Sequence, residues 1–420
     1  MFPKMHAIVP AVAPALLLAV ATTSVPVAAE TDLPKLDVTA DFEGGSCTVV
    51  SIDQARRVIR FTPTDHKDRG VVAWWYFKVS GIRPGETITL ELTGGSPGYE
   101  GWGRPDQATF SVDHKTWNHT APGEHQKKQT VYRQQIDGAE AWFAWGPPFV
   151  PSDAQALVDR LAEQSPEATA VELCRSAGGR PVPALRIEPA GATGDRRYGV
   201  FIVARQHAWE VSASWVCRGL MEWVLSDDPR AAAIRGKASF YIVPIMDVDN
   251  VANGAGGKGE KPHDHNQDWA TDPPHFPAVA AAQREAKAMR DRGRLDFFLD
   301  IHGPLRSIRQ SFFYVPHPKA ISEVRRGDFE RFIAATRQEM TGPPELGKPW
   351  LSSYGKKKPG RTAAAWGRRE TPDHVVSLCL EAAFNTPHGT VDGYLTSGRQ
   401  LGQAIELYLR TDPHTPPPAD

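Results

Sequence analysis

The strongest constraint on the fold is a set of apolar runs without polar alternation: Tyr198 to Ala204 (YGVFIVA), Ser239 to Met246 (SFYIVPIM), Leu295 to Ile301 (LDFFLDI), Phe312 to Val315 and Val375 to Leu380. A strand that is apolar at successive residues presents apolar side chains to both faces of its sheet, so both faces have to be covered. Helical patterns lie between or after these runs, at Val211 to Leu225, Ala278 to Arg292 and Gly398 to Leu409. The expected fold class is α/β: a mixed, mostly parallel sheet with helices on both faces. A chain of 420 residues with 41% apolar content has material for about two packed domains.

The first third of the chain has a different texture. From Leu36 to Trp145 short strand-like segments, such as Val71 to Ser80, Thr87 to Leu92 and Ala108 to Val112, alternate with turn residues such as Gly81 to Gly85. That spacing predicts an all-β sandwich. Its tryptophans, Trp74, Trp75, Trp102, Trp117, Trp142 and Trp145, read either as core packing or as a sugar-binding platform. Gly146-Pro147-Pro148-Phe149-Val150-Pro151 breaks any regular element, and Ser152 or Asp153 can cap a helix from Ala154 to Glu163. The expected domains are a sandwich over 30–150 and an α/β domain over 151–410, followed by a disordered proline-rich tail over 411–420.

Residues 1–29 have the layout of a signal peptide, with Lys4 and His6 before an apolar run and the small residues Val27, Ala28 and Ala29 at its end. The expectation is a secreted or periplasmic protein with no membrane span after cleavage, since no later stretch reaches the roughly 20 apolar residues a span needs. The formal charge of −1 leaves no basic face for nucleic acid. Cys47, Cys174, Cys217 and Cys379 form no Cys-x-x-Cys pair and are not a zinc framework.

Three strand ends carry candidate chemistry. Arg205-Gln206-His207-Ala208-Trp209-Glu210 follows one apolar run and precedes a helix, where sites form in open α/β sheets. His207 and Glu210, three apart, can point at one metal ion; alone they read equally as a surface pair or helix cap. His302, in Asp300-Ile301-His302-Gly303, ends a second run and reads as a third ligand or as a core histidine. Glu381 ends a third run and reads as a general base or as the partner of a buried arginine. A catalytic zinc needs three protein ligands and an open position for water, and His207, Glu210 and His302 satisfy that count.

This order, His-x-x-Glu, then His, then a strand-borne Glu, resembles the zinc metallocarboxypeptidase family, and within it the cytosolic carboxypeptidase-like branch. The resemblance extends from about residue 40 to 410. It includes Trp74-Trp75-Tyr76-Phe77-Lys78-Val79-Ser80-Gly81, which is similar to that branch's β-sandwich domain, Ala204-Arg205-Gln206-His207, Ile242-Val243-Pro244-Ile245-Met246 and Leu378-Cys379-Leu380-Glu381. It implies one zinc ion on His207, Glu210 and His302, a peptide or amide substrate, and Glu381 taking the proton of the attacking water.

The pattern departs from the family in one loop. Where the family has an Asn-Arg pair for the substrate's terminal carboxylate, the chain has Asn266-Gln267, and Lys258 stands beside the position of a second family arginine. A neutral amide reproduces neither the charge nor the two-pronged geometry of a guanidinium. Asn266, Gln267 and Lys258 are the substrate-binding candidates, with Lys261, His263 and His265 as further sources of positive charge or as solvated loop residues. Tyr354 is the candidate for a mobile family tyrosine. The expected activity is a carboxypeptidase; the alternatives are a zinc amidase or deacylase that ignores the terminal carboxylate, or a non-catalytic binding protein.

Overall fold

The computed structural model describes residues 34–97, 99, 101–188, 198–351 and 361–413. Residues 1–29, Tyr354 and most of the expected tail lie outside the described residues.

The N-terminal strands are β1 (Asp37–Thr39), β2 (Thr48–Asp53), β3 (Val58–Thr62), β4 (Tyr76–Ser80), β5 (Glu86–Thr93), β6 (Thr109–Ser111), β7 (Asn118–His119), β8 (Glu124–His125), β9 (Gln129–Ile136) and β10 (Glu140–Ala144). They form two five-stranded sheets, ordered β1-β4-β10-β6-β7 and β2-β3-β5-β9-β8. Alternation is clean in β5, where Ile88, Leu90 and Leu92 are buried and their neighbours are not. Phe61, Trp75, Phe77, Tyr132 and Phe143 fill the interior, and the indole N–H groups of Trp74, Trp75 and Trp145 donate to the carbonyls of Gly44, Gly103 and Trp102. The expected strand from Val71 is shorter, because the segment before Tyr76 is used elsewhere. Val71 N donates to Lys258 O at 2.9 Å, and Arg69 O accepts from Gly257 N at 2.9 Å.

The larger sheet contains β11 (Ala168–Arg175), β12 (Pro181–Ile187), β13 (Tyr198–Ala204), β14 (Ala238–Val243), β15 (Phe297–His302), β16 (Phe312–Val315), β17 (Trp350–Leu351) and β18 (Val376–Glu381). Its order is β11-β12-β14-β13-β15-β18-β16-β17, with a parallel centre of β14, β13, β15 and β18, antiparallel pairings flanking it and a short parallel pairing of β16 with β17 at the edge. Every residue of β13, β14 and β15 is buried, as continuous apolar runs require.

The helices are α1 (Pro151–Gln164), α2 (Ser212–Val224), α3 (Pro229–Arg235), α4 (Val248–Ala252), α5 (Pro277–Asp291), α6 (Glu323–Glu339), α7 (Ala363–Glu370) and α8 (Val391–Arg410). α8 starts seven residues before the expected Gly398, capped by Thr390. Glycines interrupt its apolar period where it packs closely on α2: a Cβ on Gly398 would fall 2.1 Å from Val216 O. In-register pairing of the parallel centre sets His302 beside Glu381 and Ala204 beside Ile301, so three chain segments leave the sheet at one edge.

Candidate metal centre

At the end of β13 the chain turns sharply, with Arg205 at a positive φ of 55°. A non-glycine residue holds that conformation only under outside constraint. Here the constraint is the buried Arg205 guanidinium, which donates to Ala208 O at 2.8 Å and to Phe149 O. The turn carries His207 and Glu210 over the sheet edge. Trp209 between them is buried against aromatics from outside the loop, stacked on Trp102 at 5.5 Å and edge-on to Trp145 and Phe384. The sandwich tryptophans therefore brace the loop that carries His207 and Glu210.

His207, Glu210 and His302 are all buried, and one donor atom of each lies within 4.8 Å of the others. Glu210 Oε1 is 2.9 Å from His207 Nδ1, and Glu210 Oε2 is 2.7 Å from His302 Nδ1. Asp300 Oδ2 stands 3.0 Å from His302 Nε2, Gln206 donates to Asp300 Oδ1 at 2.7 Å, and the Trp269 indole donates to Gln206 at 2.6 Å. Carboxylates and amides behind an imidazole fix its ring orientation. Burial pushes the Glu210 carboxyl up, but His207, Lys258 and His302 outweigh it and hold Glu210 well below the usual carboxylate range. Burial opposes charge on His302, yet Asp300 and Glu210 hold its pKa well above the ordinary value. The pocket thus favours a cation.

Glu381 faces the same cavity, whose wall includes His207, Lys258, Asn266, His302 and Arg368. The cavity has about 50 Å³ of space, above the roughly 10–15 Å³ one water needs. Glu381 Oε2 is buried and makes no hydrogen bond. Burial, reinforced by Glu210 and offset by His302, Lys258 and His207, pushes the Glu381 carboxyl up to about 7. Two imidazoles and one carboxylate in mutual reach beside a carboxylate oxygen without a partner fit a zinc ion with an adjacent base.

The substrate-binding candidates divide. Lys258 lies 3.6 Å from Glu210 Oε1 and lines the cavity, as does Asn266. Asn266 Oδ1 also accepts from Ala363 N at 3.1 Å, tying this loop to the start of α7. Gln267 lies along a neighbouring groove with Trp102, His263 and Lys261. Lys261 pairs with Asp68 at 2.8 Å, His263 with Asp268 at 2.6 Å, and His265 is buried near Asp247 and Glu260. Arg368, absent from the sequence expectations, lines the cavity, with Nη1 donating to Ser377 O at 3.0 Å. Burial and the nearby Arg325 pull its pKa down to about 10, so it stays charged at neutral pH. Among the described residues no carboxylate forms an ion pair with it. Its position 101 residues past Gln267, the family arginine's slot, gave no local signal.

Residues 154–270 match the family model for zinc carboxypeptidase, and residues 38–145 match the cytosolic carboxypeptidase N-terminal domain. An uncharacterised protein of Zymomonas mobilis is 28% identical over 64% of this chain and 67% of its own length. Mouse cytosolic carboxypeptidase 4 is 32% identical over 31% of this chain, and zebrafish cytosolic carboxypeptidase 1 is 25% identical over 57%. The matched parts span only 13% and 24% of those two relatives. A metallo-carboxypeptidase from Burkholderia cenocepacia shares the fold over 90% of this chain and 100% of its own, with a TM-score of 0.77 at 24% identity. One from Pseudomonas aeruginosa does so over 89% of this chain and 99% of its own, with a TM-score of 0.69 at 22% identity.

The expectation of a secreted or periplasmic protein is corrected by these matches. The N-terminal domain is of the cytosolic carboxypeptidase type and the mouse, zebrafish and human relatives are named cytosolic carboxypeptidases, which points to the cytosol rather than to export. The apolar run of residues 7–20 satisfies the composition of a signal peptide, and composition alone does not distinguish export from other roles. No helix among the described residues is long and apolar enough to cross a membrane. The chain thus carries a zinc carboxypeptidase domain, of a family of zinc-dependent peptidases, behind an N-terminal domain of the cytosolic carboxypeptidase type, on the fold of the metallocarboxypeptidases.

Proposed function

We propose that this chain is a zinc carboxypeptidase whose catalytic unit spans residues 151–410, with a single zinc ion held by His207, Glu210 and His302, Glu381 as general base, and Lys258, Asn266 and Arg368 receiving the carboxyl end of a peptide. The observation that carries this is Glu381 Oε2, a buried carboxylate oxygen without a hydrogen bond that opens on the same cavity as both imidazoles. Leaving such a group unpaired costs about 1–3 kcal/mol or more, which marks it as kept for a reacting partner.

Zinc on this donor set supplies Lewis acidity, polarising a scissile carbonyl and acidifying water. Glu381 would accept the proton that water loses on attack and return it to the departing amine. Lys258 and Arg368 offer positive charge on the cavity wall, so the charge of the missing family arginines is supplied from the same loop and from α7. Gln267, on the neighbouring groove, takes no part in holding the carboxylate. Asp300 and Gln206 position His302.

The alternative is an amidase or deacylase on the same scaffold, favoured by the neutral Gln267 in the family's arginine slot. Mass spectrometry of a peptide library treated with zinc-loaded protein separates the two, using amidated peptides and Glu381→Gln as controls. Loss of single C-terminal residues from free-acid peptides, abolished by Glu381→Gln, is the expected result. Indifference to amidation makes the protein an amidase or deacylase. Equal product from Glu381→Gln overturns the role of Glu381.

A further inference from the structure

We propose that Asp247, Glu260 and His265 form a second divalent-cation site, of the zinc or manganese class, that pins the loop between β14 and α5. The three side chains are 1%, 4% and 6% exposed, and one ligand atom from each lies within 4.8 Å of the others. His265 Nδ1 stands 3.7 Å from Asp247 Oδ2 and 3.5 Å from Glu260 Oε1. These separations are long for hydrogen bonds but close to the roughly 3.3–3.5 Å between two ligands bonded at about 2.0–2.1 Å to one tetrahedral ion.

A separate observation points to the same ligand. His265 Nδ1 and Glu260 Oε1 are both buried and neither makes a hydrogen bond, although they face each other. An ion between them would satisfy both. The surroundings already resemble the outer shell of a metal: Asn250 Nδ2 donates to Asp247 Oδ2 at 2.8 Å and to Glu260 Oε2 at 2.5 Å, and Asn250 N donates to Asp247 Oδ1 at 3.1 Å. The His265 ring is stacked on Phe276 at 3.7 Å, which fixes its plane.

Charge balance favours a dication. Protonation of His265 would offset one of the two buried carboxylates and leave the other. The guanidiniums of Arg69 and Arg205 donate elsewhere, to Asn250 Oδ1 and to backbone carbonyls. The cluster borders a cavity of about 30 Å³. It also abuts the His207 loop, since a Cβ on Gly257 would fall 2.6 Å from Asp247 Oδ2 and 2.7 Å from Ala208 N. A cation here would stiffen the segment that carries Lys258 and Asn266 without touching the reacting groups.

The test uses tag-free full-length protein stripped with a chelator, reloaded with zinc, desalted and analysed for metal by mass spectrometry, with thermal unfolding in parallel. About two equivalents per chain are expected for the unaltered protein and about one for Glu260→Gln or His265→Gln. His302→Ala is expected to keep the equivalent that Glu260→Gln loses. One equivalent in both the unaltered protein and Glu260→Gln overturns the proposal, as does a second equivalent that Glu260→Gln retains, which would be adventitious surface binding. Failure of the first centre is distinguishable, because the unaltered protein would then hold about one equivalent, kept by His302→Ala and lost by Glu260→Gln. A cobalt titration gives the count independently: absorption of the unaltered protein saturating at about two equivalents supports the site, and saturation at about one in the unaltered protein and in Glu260→Gln alike overturns it.

Discussion

The sandwich and the α/β domain bury polar groups on different terms. In the sandwich the buried polar side chains among the described residues are Ser46, Arg57, Thr109, Ser111, Thr120 and Thr130, with no carboxylate. The polar tips of Trp74, Trp75, Trp145 and Tyr132 end on backbone carbonyls, as with Tyr132 OH on Pro105 O at 2.6 Å. The α/β domain buries Glu210, Asp247, Glu260, Asp264, Asp268 and Asp300, and leaves buried oxygens of Glu260 and Glu381 without hydrogen bonds. A satisfied polar group contributes stability and is chemically quiet, whereas an unsatisfied one is held at a cost that only a ligand or reaction offsets. The sandwich is accordingly a brace, and the strand ends of the larger sheet are where chemistry is held ready.

The sharpest way to break this comparison is to remove the base. Glu381→Gln is expected to lower kcat by about 10²–10⁴-fold with zinc content unchanged, while Trp142→Ala, on a half-buried sandwich residue, leaves kcat within a factor of about two. Steady-state kinetics on a free-acid peptide read both.

Next in size is the brace. Trp209→Ala removes a buried ring from contact with Trp102, Trp145 and Phe384, and should destabilise the protein by about 3–5 kcal/mol in urea unfolding. It should also weaken zinc retention, since the ring lies between His207 and Glu210 in the chain. A Trp209→Ala protein with unaltered stability would mean that the sandwich does not support the loop.

Arg368→Ala sharpens the account of substrate binding. Loss of one charge-assisted contact of about 1.5–3 kcal/mol predicts a 10- to 100-fold fall in kcat/KM on free-acid peptides and no change on amidated ones. An equal fall on both would move Arg368 out of carboxylate recognition.

The smallest effect concerns Asp106, where sandwich and α/β domain meet through Arg306 at 3.1 Å and Arg309 at 2.5 Å. Burial raises its pKa, but Asn385, Arg309 and Arg306 outweigh this and the carboxyl is held below its ordinary value. A depressed carboxylate pKa contributes stability that is present above the unfolded value of about 3.9 and is lost as pH falls through the lower folded value. Asp106→Asn should therefore lower stability at neutral pH by about 1 kcal/mol or less, with the gap closing below about pH 4. Thermal unfolding across that range reads the difference.

Much of the architecture was legible because its signals are local. Strands β13 and β16 fall on the expected residues, and β14, β15 and β18 within a few, since continuous apolar runs admit little else. α8 was foreshortened because glycines that allow it to approach α2 interrupt its apolar period. The segment before Tyr76 read as strand from its residue types, but its backbone hydrogen bonds go to scattered partners, Val71 N to Lys258 O, Val72 N to Ser96 Oγ and Trp74 O from Ser46 Oγ. Export was read from apolar composition near the N-terminus, and the domain relationships overrule it.

By itself, then, the sequence determined the central strands and the order His207, Glu210, His302, Glu381, because burial on both faces and charged residues at strand ends leave their mark within a few neighbouring positions. Only the tertiary structure decided which cations face the cavity. Lys258, Lys261, His263 and His265 are near neighbours in the chain, yet only Lys258 lines that wall, and Arg368 joins it from α7. The physical reason is that a side chain's direction depends on turns, caps and packing between distant elements, such as Asn266 on the first turn of α7, and those contacts have no fixed spacing along the chain.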